Sequence, residues 1–338
     1  MQPAIKTAFV PANGLTFEVD QCGDGDRLAL CLHGFPECSY SWRYQLPLLA
    51  KLGYTAWAPN LRGYGRTTRP AYIRDYALRH LLDDVAGLID AAGKRSTLLV
   101  AHDWGGAIAW SFVIKPLRPI ERFIVCNLPH PAIFFKQVFR IPQVLRSWYV
   151  FLFQFPHLPE WLFSLNDAQA IGDAFRDMAV DRSRFPAEVL AVYRRQALQP
   201  GALTAMINYY RALYRYWPTK AFLQLAETPI EIPTLMIWGE RDSALGKELT
   251  IGTEKYVRDF TLRYLPDVSH WVQQEAPESV NAMIEAWLRN RINASQKNSS
   301  DHPSRKSRRT VASEATGSMH STSWIITRRE VGRWASRS

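Results

Sequence analysis

The chain has 338 residues, 47% of them hydrophobic and 12% aromatic, enough to bury a large core in one α/β domain that carries an insertion. Its formal net charge of +10 would point to nucleic acid, but nine basic residues against three acidic ones lie between Asn293 and Ser338, so most of the excess belongs to a tail. Met1 to Phe9 lacks the basic-then-apolar pattern of an export signal, and the four cysteines have neither metal-ligand spacing nor the density of a disulfide scaffold. A cytoplasmic protein with inert core thiols at Cys31 and Cys126 is the expectation.

Residues 9 to 32 read as a β-meander, with Asn13-Gly14 as a hairpin turn and Gly23 to Asp26 as a second turn leading into Leu28 to Leu32. A helix over Trp42 to Lys51, a strand over Tyr54 to Ala58 and a glycine-containing loop over Asn60 to Arg66 follow. Asp75 to Ala92 is an amphipathic helix closed by Gly93, Thr97 to Val100 a buried strand, Ala107 to Lys115 a helix and Phe123 to Cys126 a strand. Strands alternating with helices at these lengths predict an α/β class with a mainly parallel sheet flanked by helices.

The alternation stops after Pro129-His130-Pro131, and residues 132 to about 225 read as helices rich in Phe, Trp, Tyr and Arg. The predicted organisation is a first core part over 1–130, a helical cap over 131–228, a second core part over 229–292 and a basic disordered tail over 293–338. Trp148 to Leu165 is the most apolar stretch. Gln154, Pro156, His157, Pro159 and Glu160 interrupt it, so it is read as pocket lining rather than a membrane span. Strands resume at Thr234 to Trp238 and Phe260 to Leu265, and Pro277 to Arg291 is an amphipathic helix. The tail from Ser295 lacks periodicity and is read as a dispensable extension, without a specific nucleic-acid or membrane role.

The strand at 97–100 must reverse sharply into the helix at 107–115, and the reversal falls on Asp103, with small residues Ala101 and Gly105 two positions either side. That is the spacing of a nucleophile elbow, holding a carboxylate where serine is usual. A carboxylate can attack saturated carbon and leave an ester that water cleaves. An N-cap role would explain Asp103 alone. It would not explain Asp242 after one later strand and His270 after the next, which give the order nucleophile, acid, histidine. Asp267 is too near His270 on the same loop to serve as the acid, and the amide of Asn127 cannot stabilise an imidazolium. Gly239 to Lys247 fails as a phosphate loop because its second glycine comes too late.

His33-Gly34-Phe35-Pro36-Glu37, Arg62-Gly63-Tyr64-Gly65, His102-Asp103-Trp104-Gly105-Gly106, Trp238-Gly239-Glu240-Arg241-Asp242 and Ser269-His270-Trp271 together resemble the motif set of the α/β-hydrolase-fold epoxide hydrolases, over residues 9 to 291. The resemblance implies an oxyanion hole from the Phe35 and Trp104 N–H groups and a cis bond before Pro36. It also implies two cap tyrosines that hydrogen-bond the epoxide oxygen, matched by Tyr149 and Tyr210, with Tyr209 an open alternative because adjacent helical residues point about 100° apart. Phe35, Trp104, Tyr149 and Tyr210 would then bind substrate, water would be the co-substrate, and neither a metal nor an organic cofactor is called for. Haloalkane dehalogenases share the Asp-His-Asp triad but commonly carry Asn at the Phe35 position. Fluoroacetate dehalogenases usually have Arg where Trp104 stands. A different reading is an inactive binding module whose tail recruits polyanions; homo-oligomerisation stays open. The aromatic content of residues 134 to 165 favours apolar or aryl epoxides over charged ones.

Overall fold

The computed structural model describes residues 3–138, 141–216 and 219–300. Strands Lys6–Ala12 (β1) and Leu15–Cys22 (β2) form a hairpin around Asn13 and Gly14, both at positive φ (47° and 70°) as this turn requires. The next strand, Arg27–Leu32 (β3), does not extend that hairpin as a meander would. Tyr54–Pro59 (β4) lies between them, antiparallel to β2 and parallel to β3. The reason is burial: Leu28 to Leu32 are inaccessible on both faces, a pattern that needs parallel neighbours with helices on either side.

Thr97–His102 (β5), Arg122–Cys126 (β6), Thr234–Gly239 (β7) and Phe260–Leu265 (β8) complete an eight-stranded sheet ordered β1-β2-β4-β3-β5-β6-β7-β8. From β4 onward every neighbour pair is parallel, so the strand ends that carry loops 33–38, 103–104, 127, 240–245 and 266–271 all lie on one edge. This edge is where open α/β sheets place their chemistry.

Two helices begin later than their periodicity suggests. Gln45–Lys51 (α1) follows a separate 3₁₀ turn at Ser39–Trp42, and Leu78–Ala92 (α2) starts after Ala77, whose extended ψ of 145° breaks the chain from the 3₁₀ turn at Ile73–Tyr76. Asp103–Ile114 (α3) starts at the elbow itself, earlier than Ala107. Between β6 and β7 run Pro131–Gln137 (α4), Ile141–Arg146 (α5), Trp148–Leu152 (α6), Leu158–Met178 (α7), Ala187–Ala197 (α8), Ala202–Tyr216 (α9) and Lys220–Leu225 (α10). Val272–Glu275 (α11) and Pro277–Ser300 (α12) follow β8. Up to Asn293 the chain packs as one unit.

Two expectations need correction. The helix expected to stop at Arg291 runs to Ser300, so the first residues of the predicted disordered tail are helical, while residues 301–338 lie outside the described residues. The apolar stretch 148–165 does not face inward throughout, as pocket lining would: Phe153 is fully buried and Tyr149 partly so, whereas Trp148, Phe151, Phe155 and Trp161 are each more than half exposed. Helical geometry explains the split, because residues 149 and 153 share one side and 148, 151 and 155 the other. No helix among the described residues is long and apolar enough to cross a membrane.

Candidate active site

All of β5 is buried, and Asp103 leaves it with φ at 46°, a left-handed conformation that Asp tolerates better than most side chains. The turn admits no bulk. A Cβ on Gly105 would meet the Leu32 carbonyl oxygen at 2.2 Å, and one on Gly34 would meet the Asp103 Cβ at 2.4 Å. Close approach brings the Phe35 N–H to 2.8 Å from Asp103 Oδ1, and the Phe35–Pro36 peptide bond is cis. Trp104, second residue of α3, lies in the first helical turn, where a backbone N–H has no intrahelical acceptor. Burial opposes the Asp103 charge, but His270, His102 and the Phe35 N–H outweigh it and hold the carboxyl below the usual aspartate range.

His270 Nε2 lies 3.6 Å from Asp103 Oδ2, and its Nδ1 lies 2.6 Å from Asp242 Oδ2. Asp242 is itself fully satisfied: Oδ1 accepts the Ala244 and Leu245 N–H groups at 2.8 and 2.9 Å, and Oδ2 accepts the Asn127 side-chain amide at 2.7 Å. Asn127, rejected as the acid, thus supports it, and its Oδ1 also accepts the Gly239 N–H at 3.0 Å, tying β6 to β7. Asp267 points to solvent and pairs with Arg241 at 3.7 Å. Burial would drive the His270 proton off, yet the Asp242 and Asp103 carboxylates outweigh it and push the imidazole up to about 10. In the resting protein His270 is therefore an imidazolium between two anions.

Tyr210 packs edge-on against Phe35, Trp104, Tyr149 and Phe153, with ring centroids 4.9 to 5.9 Å away. Its neighbour Tyr209 also touches Trp104, at 5.5 Å, but packs against Tyr64 and Tyr76 and donates its hydroxyl to the Arg62 carbonyl at 2.8 Å. Of the two adjacent tyrosines, Tyr210 is thus the one that packs on Phe35. Burial pushes the Tyr149 and Tyr210 hydroxyls above the ordinary phenol range, and the nearby Asp103 charge adds to it, so both keep their protons at neutral pH and can donate. Phe153, not singled out from the sequence, closes the box: it is fully buried and touches Phe35, Tyr149 and Tyr210. Among the described residues no His, Cys, Asp or Glu cluster could hold a metal ion.

The family described as alpha/beta hydrolase fold matches residues 30–277. Epoxide hydrolase 4 of Mus musculus is 38% identical over 284 residues, spanning 82% of this chain and 77% of that protein. Epoxide hydrolase 3 of Xenopus tropicalis is also 38% identical, over 82% of this chain and 76% of its own length. Among solved structures, the Bacillus megaterium epoxide hydrolase in complex with an inhibitor superposes with a TM-score of 0.76 at 27% identity, covering 83% of this chain and all of that one (100%). The chain belongs to the epoxide hydrolases of the α/β-hydrolase fold.

In this member of the epoxide hydrolase family, two further buried groups support the triad, and sequence reasoning assigned neither a role. Glu37 Oε2 accepts the Gly34 N–H at 2.7 Å, and its Oε1 accepts the side-chain amides of Gln273 and Gln274 at 2.8 and 2.9 Å. Burial opposes its charge, but His102, His33 and the Gly34 N–H hold the carboxyl below the usual glutamate range. His102 bridges from this carboxylate, 2.7 Å from Nδ1, to the His270 backbone carbonyl, 2.9 Å from Nε2. The His102 ring, next to Asp103, therefore links the loop at 33–38 to the His270 backbone. Both residues stand inside motifs already quoted. What was missing was any local signal that positions 65 residues apart would meet.

Proposed function

We propose that this epoxide hydrolase opens its substrate with Asp103 as nucleophile and completes hydrolysis with His270 as base, oriented by Asp242. The observation that carries this is the inequivalence of the two Asp103 oxygens: Oδ1 rests on the Phe35 N–H at 2.8 Å, while Oδ2 faces His270 at 3.6 Å. Oδ2 is then the attacking atom. It forms a bond to an epoxide carbon as the C–O bond of the ring breaks, and Tyr149 and Tyr210 donate to the departing alkoxide oxygen, which would otherwise be a poor leaving group. The product of this step is a hydroxyalkyl ester with Oδ1 as its carbonyl oxygen.

The alkoxide takes its proton from one of the two phenols. Esterification removes one of the two anions that hold the His270 proton, that proton leaves to restore the phenol, and the neutral imidazole is the form that can take a proton from water. Water oxygen bonds to Asp103 Cγ as one of its protons passes to His270, and negative charge collects on Oδ1 in reach of the Phe35 and Trp104 N–H groups. The Cγ–Oδ2 bond breaks as His270 hands that proton to Oδ2. The second water proton then leaves the new carboxyl for His270 and restores the resting ion pair. The vicinal diol leaves with the oxygen that was Oδ2. We read residues 131–228 as the cap that brings the two phenols over the carboxylate; this is supported by the position of α4 to α10 between β6 and β7. The box of Phe35, Trp104 and Phe153 favours an apolar or aryl epoxide. A cytoplasmic setting is supported by the four buried free thiols.

The test is a single turnover in heavy-oxygen water. Label is expected in the Asp103 carboxylate with an unlabelled diol; a labelled diol in that first turnover would mean direct attack by water and end the proposal. Tyr149→Phe and Tyr210→Phe are each expected to slow ester formation by about 10²-fold, the range for losing one donor to a developing oxyanion, with ester hydrolysis changed far less. Stopped-flow formation and decay of the ester separates the two.

A further inference from the structure

The segment after His270 holds a carboxylate that the reaction does not consume. Glu275, the last residue of α11, is buried. Its Oε1 accepts the backbone N–H groups of Val180 and Asp181, both at 2.9 Å, just past the end of α7. Its Oε2 accepts the Ser269 N–H at 3.0 Å and the Ser269 hydroxyl. Among the described residues no cation pairs with it, and its two oxygens are satisfied by four neutral donors, two from the helical insertion and two from the residue before His270. A buried carboxylate without a cation is costly, and a position serving packing alone would be better filled by an apolar side chain.

We propose that Glu275 is a positioning residue that fixes the His270 backbone and couples it to the seating of the insertion. The His270 carbonyl is held by His102 at 2.9 Å and the preceding amide by Glu275, so the peptide that aims the imidazole is gripped at both ends. Trp271 reinforces the link, its ring 4.4 Å from that of Phe175 in α7. Loss of the grip leaves Asp103 able to attack but lets the imidazole drift from the ester. Hydrolysis of the ester therefore slows, while its formation does not.

This inference rests on the ester mechanism above, and the experiment separates failure of one from failure of the other. Glu275→Gln keeps the size but places an NH₂ where one oxygen received N–H donors, so either Val180 and Asp181 or Ser269 faces a donor instead of an acceptor. The expected result is an ester hydrolysis rate lower by about tenfold, the order a small misplacement of a base costs, with formation within about threefold. The values of kcat and KM then fall together and kcat/KM is nearly unchanged. Val180→Pro tests the other end of the clamp. Its side chain is half-exposed, the residue before it is already extended at ψ 137° as proline requires, and the change removes one donor. It should produce the same split, and the double variant should be no slower than Glu275→Gln alone. Equal losses in kcat and kcat/KM, effects that multiply, or no effect in either variant would overturn the assignment of Glu275. No ester in the unmutated protein would overturn the mechanism instead.

Discussion

Asp103→Ala is expected to lower epoxide turnover by at least about 10⁴-fold, since no other group can form the ester and the reaction would fall back on water. The fold should survive. Alanine at a left-handed φ costs about 1 to 2 kcal/mol, and loss of the carboxylate's favourable contacts with His270 and the Phe35 N–H adds to that, so the melting temperature should fall by several degrees while unfolding stays cooperative. Diol production followed with a chromogenic or chiral assay, beside a thermal melt, checks both. Turnover within tenfold of the unmutated protein, with an intact melt, would falsify Asp103 as nucleophile.

His270→Gln should behave differently, because the step it serves comes second. Ester formation continues and hydrolysis falls by about 10³-fold, so the intact protein gains the mass of one substrate molecule and turnover stops after one equivalent. The same variant reads the electrostatics of the resting site. The folded-state imidazole, held up at about 10 against an ordinary value of 6.5, contributes stability that is complete below 6.5 and lost as pH rises through about 10. The stability gap between the unmutated protein and His270→Gln is thus widest near pH 6 and closes above pH 10. Denaturant unfolding across that range measures it; a gap that does not shrink at high pH would mean that His270 is uncharged at rest.

The sequence made the sheet edge legible because strand ends and loop motifs are local. The reversal at Asp103, the loop to Asp242 and the loop to His270 each show within about ten residues, and the structure brings all three side chains together. The family pattern pointed to Tyr149, but which of Tyr209 and Tyr210 would lie beside Phe35 was not legible, because it depends on which face of α9 meets Phe35 rather than on composition. The place of β3 beyond β4 was misread as a meander since a hairpin turn announces only its own pair of strands. The bonds from Glu37 to His102 and from Glu275 to Val180 join distant positions and are set by tertiary packing alone. The outward side of 148–165 was hidden for a related reason: aromatic density says nothing about which face is covered.

Under the proposed mechanism, the unequal footing of the two Asp103 oxygens gives them different histories. The atom anchored on the Phe35 amide never leaves, whereas its twin departs in every diol and is replaced from solvent. So long as the carboxylate does not rotate, an enzyme molecule keeps one oxygen from its own synthesis throughout its working life and renews the other once per cycle.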